Sequence, residues 1–321
     1  MRKYSKDQII ARLKSEGLFF SEFSLIHEGN YETDDADWNY KDVPHLHYVH
    51  ELAEAIPTVV GDDVIASINM QKVLGFRFPF SLTNFESGEN AQTYYTTWMF
   101  YVLMIETSYE KIGPCQTRVT TTYAVGSPKL LQWTFPIIRW ILKRNYDNLM
   151  STDIPMRTRR GQLRGWGYTF YKEDPKYSFE KTMDIRKPNV IPPASPEVHS
   201  TYNVSIAEVL PSDGEHFLGR DDHVGIRLVR QGNQLMLYPR MCPHEGASLD
   251  GYTCKGGKDS VRGGTLQCPW HGRIFKSFAN FDLANPHLQE AKTELFVIAF
   301  NKGALEVQWP TDSKQSMAAL V

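Results

Sequence analysis

The chain has 321 residues, 41% of them hydrophobic and 22% charged, with a formal net charge of -2. At roughly 150 residues per domain, that length accommodates two domains with sizeable cores. The near-neutral balance gives no electrostatic reason to expect nucleic acid or an anionic membrane as partner, because phosphate binding draws on concentrated basic surface.

The opening MRKYSKDQIIARLKSEGLFF lacks the uninterrupted apolar core of a secretory signal, and its spacing predicts a short amphipathic helix. A cytoplasmic protein is expected. Four cysteines, Cys115, Cys242, Cys254 and Cys268, show no disulfide-scaffold pattern and suit a reducing compartment. The next segment, DADWNYKDVPHLHYVHE, gathers Asn39, Asp42, His45, His47 and His50. From residue types alone, Asp42 reads as a helix N-cap and Pro44 as a first-turn residue, with the histidines on a partly buried face. Runs such as ASINMQKVLGFRFPFSL, TYYTTWMFYVLMIETSY and TRVTTTYAV alternate apolar with polar residues and are rich in aromatic and β-branched types, which predicts antiparallel strands. The stretch from Ser127 to Asp153 reads as one long helix, too short in its apolar part and too interrupted by Arg139 to span a bilayer. Four prolines between Asp184 and Ser205 disfavour helix and central strand alike, which places a linker at about 187–204. Beyond it, VGIRLVRQ, QLMLYPRM, ELFVIAF and ALEVQW predict a small all-β domain. The expected organisation is therefore a first domain over 1–186, the linker over 187–204, and a second domain over 205–321.

The second domain holds the densest chemistry in the chain, CPHEGASLDGYTCKGGKDSVRGGTLQCPWHGRIF from Cys242 to Phe275. Cys242 with His244 and Cys268 with His271 form CxH and CxxH pairs, followed by Gly246 and Gly272 and flanked by Pro243 and Pro269. Two thiolates and two imidazoles suit either tetrahedral zinc or a Rieske 2Fe-2S centre. The paired motifs CPHxGxxL and CPWHGxxF resemble the Rieske family, in which the cysteines hold one iron and the histidines the other. A spacing of 23 residues separates His244 from Cys268, longer than usual for that family, and its KGGKDSVRGG stretch reads as a surface insertion containing Cys254. With one further cysteine nearby, the internal disulfide of respiratory Rieske proteins is not expected. Arg273 and Phe275 stand where those proteins place hydroxyl donors, so the potential is expected near the low end of the Rieske range, about -150 mV.

Together with that motif, the spacing NxxDxxHxxxxH over Asn39, Asp42, His45 and His50 resembles the mononuclear-iron motif of Rieske non-haem iron oxygenases. Residues five apart on a regular helix point about 140° away from each other. Joint ligation by His45 and His50 thus requires a widened turn or a late helix start, and His47 with His50 is the rival pair. The resemblance selects His45 and His50. The family's third ligand is a carboxylate from a long helix, and TDIPM here looks like the DIPIW-type segment of the sterol-oxidising branch, which points to Asp153 rather than Asp147.

These resemblances imply an α+β chain: a helix-grip, START-like antiparallel sheet wrapped on a long helix, plus a small all-β Rieske domain, in an order reversed from the usual one. They imply a 2Fe-2S cluster and a mononuclear Fe(II), and oxidation of an apolar small molecule by O2. No nicotinamide or flavin motif is visible, so electrons would come from an external ferredoxin or reductase. The resemblance also implies a homotrimer in which Asp42 bridges to His271 or His244 of the next subunit, with Asp42 and Asn39 serving the reaction. The alternative from another class is a Rieske electron carrier fused to a START-like lipid-binding domain without mononuclear iron.

Overall fold

A computed structural model describes residues 4–50, 53–73, 76–98, 100–170, 178–186, 189–191, 202–220, 224–250, 261–262, 265–285, 287–292 and 297–308. By its contacts the chain divides into two compact units, Met1–Gly161 with Lys176–Asp184, and Gln162–Pro175 with Ile185–Val321.

The first unit begins with helix α1 (Lys6–Ser15), held at its start by a capping box between Ser5 and Gln8. Strand β1 (Leu18–Gly29) and two short helices, α2 (Thr33–Lys41) and α3 (His45–Val49), follow. Six strands come next: β2 (Ala53–Val60), β3 (Val64–Val73), β4 (Phe76–Gly88), β5 (Ala91–Trp98), β6 (Tyr101–Gly113) and β7 (Gln116–Pro128). They form one antiparallel sheet in the order β1-β7-β6-β5-β4-β3-β2. The expected strand runs are thus hairpins, and β1 closes the far edge by pairing with β7 along its whole length, from Leu18 opposite Pro128 to Gly29 opposite Thr117.

The helix expected over Ser127–Asp153 starts later and runs further. Residues up to Pro128 belong to β7, a 3-10 turn covers Lys129–Thr134, and helix α4 occupies Phe135–Gly165. Pro155 lies inside it and removes one backbone donor. Two buried side chains beyond that proline hold the helix in place: Arg160 pairs with Asp35 at 3.0 Å and lies over the Trp38 ring, and Arg157 donates to Asn39 Oδ1 from Nε and Nη2 at 2.8 and 2.6 Å. The sheet's inner face meets α4 through Phe23, Tyr123, Val125, Tyr146 and Met150, with Leu142, Leu149 and Ile154 packed around them. A curved antiparallel sheet gripping a long helix is the helix-grip arrangement. Helix α5 (Phe179–Met183) completes this unit, with Thr182 Oγ1 donating to the Lys41 carbonyl at 2.8 Å.

The second unit takes the end of α4, strands β8 (Thr169–Phe170) and β9 (Val190–Ile191), then β10 (Tyr202–Ser205), helix α6 (Ile206–Val209), β11 (Gly214–Arg220), β12 (Val224–Gln231) and β13 (Gln234–Pro239). It ends with β14 (Val261–Arg262), β15 (Thr265–Gln267), β16 (Ile274–Lys276), β17 (Ala279–Asp282), β18 (Gln289–Lys292), β19 (Val297–Asn301) and β20 (Ala304–Gln308). The strands make three small antiparallel sheets, β10-β20-β19-β18, β11-β12-β13-β17 and β14-β15-β16, as well as the β8-β9 pair. Within the stretch read as a linker, β9 is formed, and Asn189 ties its start to the loop after β13 through backbone bonds to Pro243 and His244. The Cys254 insertion lies outside the described residues. Among the described residues no helix is long and apolar enough to cross a membrane.

Candidate metal centres

In the first unit His45, His50 and Asp153 converge, their ligand atoms all within 4.8 Å of one another, and all three are buried. The five-residue spacing is accommodated because α3 is as short as the interval: His45 is its first residue and His50 its C-cap, with φ -97° and ψ -3°. The two Nε2 atoms stand 3.1 Å apart. Asp153 Oδ1 lies 3.0 Å from His50 Nε2 and 3.5 Å from His45 Nε2.

The far ring nitrogens fix the tautomers. His45 Nδ1 faces the Asp42 carbonyl oxygen, an obligate acceptor, so it carries the proton. His50 Nδ1 lies 3.0 Å from Thr152 Oγ1, whose own hydroxyl donates to the Leu149 carbonyl at 2.8 Å, so this nitrogen is also the donor. Both Nε2 lone pairs therefore point at the Asp153 carboxylate and at each other. Two lone pairs and an anion crowded in a buried site favour a cation between them, either a proton or a metal ion, and two imidazoles with one carboxylate match the donor set of a facial triad. A proton is the simplest such cation: burial opposes charge on His45, but hydrogen bonds to Asp153 and Asp42 outweigh it and raise its pKa to about 9, and a metal ion would take that proton's place. Burial likewise opposes the Asp153 anion, and the two histidines more than compensate, drawing its pKa down.

The other sequence candidates fall elsewhere. His47 is exposed and packs edge-on against Tyr48. Asp147 is exposed and pairs with Lys143 at 3.0 Å, one helical turn away. Asp42 is the C-cap of α2, not an N-cap, and its Oδ2 lies 3.6 Å from His45 Nδ1. Its backbone has left the helix there, with ψ at 75°, and this turns the carbonyl toward His45. Asn39 takes both Arg157 bonds on Oδ1, and Arg157 Nη2 lies 3.6 Å from Asp153 Oδ2, so Asn39 reaches the cluster through the arginine. Arg157 Nη1 also faces His27 Nε2 at 3.1 Å, and His27 Nδ1 meets the Tyr146 hydroxyl at 2.6 Å. Burial, and then Arg157, lower the His27 pKa to about 4, so the ring is neutral and accepts from the guanidinium. Thr152, Arg157 and His27 carry no motif. Thr152 stands beside Asp153 in TDIPM, and that adjacency is the one local signal.

The triad opens on a cavity of about 210 Å³ between the sheet and α4, lined by Ile65, Leu82, Ile105, Tyr123, Leu149 and Met150 among others.

In the second unit Cys242 and His244 sit on the loop after β13, and Cys268 and His271 on the loop after β15, each at 1% exposure. The loops are built alike. Cys242 N–H donates to the Ala247 carbonyl at 2.8 Å and Cys268 N–H to the Arg273 carbonyl at 2.7 Å. Gly246 and Gly272 each donate back to their cysteine's carbonyl at 2.9 Å. Both glycines hold positive φ, +83° and +65°, where a side chain would be strained. His244 and His271 approach Nδ1 to Nδ1 at 3.2 Å. Burial raises the Cys242 thiol well above its usual range, whereas burial of Cys268 is outweighed by hydrogen bonds with Cys242 and His271 that draw it well below. Paired thiols and two converging imidazole nitrogens fit a cluster with sulfur ligands on one side and nitrogen ligands on the other. Among the described residues no two cysteines form a disulfide.

Residues 202–294 match the Rieske [2Fe-2S] domain family. This part of the chain is a Rieske domain. Such a domain binds a 2Fe-2S cluster and transfers electrons, and Cys242, His244, Cys268 and His271 all lie inside the matched span. No curated protein matches the sequence of the chain. Among solved structures, the chain is similar to the Zhui aromatase/cyclase from Streptomyces sp. R1128, with 10% identity and a TM-score of 0.40, covering 46% of this chain and 99% of that one. It is also similar to a START superfamily protein from Mycobacterium smegmatis, with 9% identity and a TM-score of 0.35, covering 42% and 96%. For truncated norcoclaurine synthase from Thalictrum flavum the identity is 12% and the TM-score 0.33, covering 41% and 92%.

Proposed function

We propose that this protein is a Rieske-type non-haem iron oxygenase, which oxidises an apolar small molecule with electrons from an external ferredoxin or reductase. The observation that carries the reading is the convergence of His45 Nε2, His50 Nε2 and Asp153 in the wall of an apolar cavity, in a chain that also has a Rieske domain. Fe(II) held by these three residues would supply the activation of dioxygen.

The chain's own residues do the rest. The Asp42 carbonyl and the Thr152 hydroxyl hold the two imidazoles in the tautomer that leaves Nε2 free to ligate. Arg157 stands beside the second oxygen of Asp153, which leaves Oδ1 toward the histidines. Aromatic and aliphatic side chains from the sheet and α4 exclude water and select an apolar substrate. The homotrimer, with Asp42 meeting His271 or His244 of the next subunit, rests on the family resemblance.

Counting metal on the purified protein is the test. Three irons per chain support the oxygenase, and two irons with a bound lipid support the electron carrier fused to a lipid-binding domain. One zinc with no visible colour overturns both.

A further inference from the structure

The cavity wall contains a buried oxygen that lacks a protein partner among the described residues. Asn84 lies on β4, is 3% exposed and lines the cavity. Its cross-strand neighbours, Ile65 on β3 and Tyr94 on β5, line the same cavity, so the side chain belongs to the inner face of the sheet. The amide nitrogen is used twice, donating to Gln92 Oε1 at 3.0 Å and to the Tyr40 carbonyl at 3.3 Å. Oδ1 has no hydrogen-bond partner among the described residues.

Neighbours dictate this orientation. Gln92 Nε2 lies 3.4 Å from the Asp37 carbonyl oxygen, which can only accept, and 3.1 Å from Asp37 Oδ1. Gln92 therefore turns Oε1 toward Asn84. Reversing the Asn84 amide would set its oxygen against two oxygens, that of Gln92 and the Tyr40 carbonyl. Of the wall's other polar groups, Ser67 Oγ accepts from Asn69 Nδ2 at 2.9 Å and the Tyr94 hydroxyl donates to the Tyr40 carbonyl at 3.1 Å, whereas Asn39 Nδ2 and the Tyr40 hydroxyl, both able to donate, have no hydrogen-bond partner among the described residues. An acceptor buried without a donor costs free energy that a ligand's donor would recover.

We propose that Asn84 determines the specificity of this cavity, and that the ligand is a small ring compound bearing a hydroxyl group, whose O–H donates to Asn84 Oδ1. Gln92 acts through Asn84 as a positioning residue. The inference rests on the reading of this cavity as the substrate site. Its volume, about 210 Å³, suits that class, since an apolar cavity of about 150 Å³ accepts benzene.

The test compares phenol with methoxybenzene, which has the same ring and oxygen but no donor, by calorimetric titration of the full-length protein without reductant. Phenol should bind more tightly by about tenfold or more. That ratio should fall to near one in Asn84→Leu. In Gln92→Met, which frees the amide to turn over, it should shrink while methoxybenzene affinity holds. Equal affinities in the native protein would mean that solvent fills the bond, and would overturn the proposal whether or not the variants fold. A phenol preference that survives in Asn84→Leu would place the phenol oxygen elsewhere, on a metal for example, and would also overturn it. Failure of both compounds to bind overturns it too, while the oxygenase reading stands or falls separately on the iron count.

Discussion

Thr152 Oγ1 accepts the Nδ1 proton of His50 at 3.0 Å while giving its own proton to the Leu149 carbonyl at 2.8 Å. The hydroxyl thereby fixes which nitrogen of His50 can bind a metal. Thr152→Val keeps the shape and removes the acceptor. It is expected to weaken mononuclear iron binding by roughly 10- to 100-fold, with the Rieske absorption unchanged. Thr152→Ser should restore binding. Iron titration followed by absorption spectroscopy distinguishes this from general destabilisation, which Ser would not rescue selectively.

The cluster ligands make a sharper demand. Cys268→Ser or His271→Cys is expected to abolish or rewrite the brown chromophore, because each belongs to the buried set of four that would hold the cluster. Cys115→Ser and Cys254→Ser should leave the spectrum alone. An absorption and electron paramagnetic resonance comparison of the four variants checks the assignment, and loss of the cluster in Cys254→Ser would refute it.

His27 supplies a pH dependence. Its pKa is lowered from 6.5 to about 4 in the folded protein, first by burial and then by Arg157. Between these values the unfolded chain binds a proton that the folded chain refuses, so stability falls as pH drops from about 6.5 toward 4. The full effect is about 3 kcal/mol. His27→Gln removes the titrating group, so urea midpoints measured from pH 7 to pH 4.5 should decline less steeply in the variant than in the native protein. Parallel slopes would sink the idea.

Asp42→Asn is expected to retain both metals and the fold while nearly eliminating turnover, if the carboxylate connects the two centres between subunits. Because Asp42 ends α2 rather than beginning a helix, N-cap exchange is no longer the competing explanation. The competing one is support of His45, whose Nδ1 lies 3.6 Å from Asp42 Oδ2; that role predicts lost iron together with lost turnover. Metal analysis, single-turnover kinetics and sedimentation of the variant separate the two, and a monomer with full activity excludes the bridge.

What the sequence disclosed follows from how local each feature is. Cys242 with His244 and Cys268 with His271 are legible because a chelating loop needs its ligands within two or three residues and a glycine to turn them. His45 and His50 are legible only as a pair beside a resembling motif, since regular helix geometry argues against them; the brevity of α3 removes that objection. Asp153 stands about a hundred residues away, and only the TDIPM resemblance separates it from Asp147, whose exposure and Lys143 pairing emerge in the folded chain. Asn84 and His27 are single polar residues on strands, and their significance depends on sheet register and on the partners brought by Gln92 and Arg157. Gln92 lies 8 residues from Asn84 but on another strand, and Arg157 stands 130 residues from His27.

The way α4 is indexed against α2 has an evolutionary consequence. Arg157 and Arg160 reach Asn39 and Asp35, so a slip of even one residue between the helices would break both contacts and carry Asp153 about 1.5 Å along the axis. Losing one partner of the fully buried Arg160–Asp35 pair would cost roughly 3 to 5 kcal/mol, a penalty that selects strongly against drift. The apolar side chains of the cavity wall carry no such pins. Ile65, Leu82 and Ile105 can exchange size with their neighbours at about 1 kcal/mol or so each, so the wall can be recut for a new ligand while the histidine–aspartate cluster stays in register.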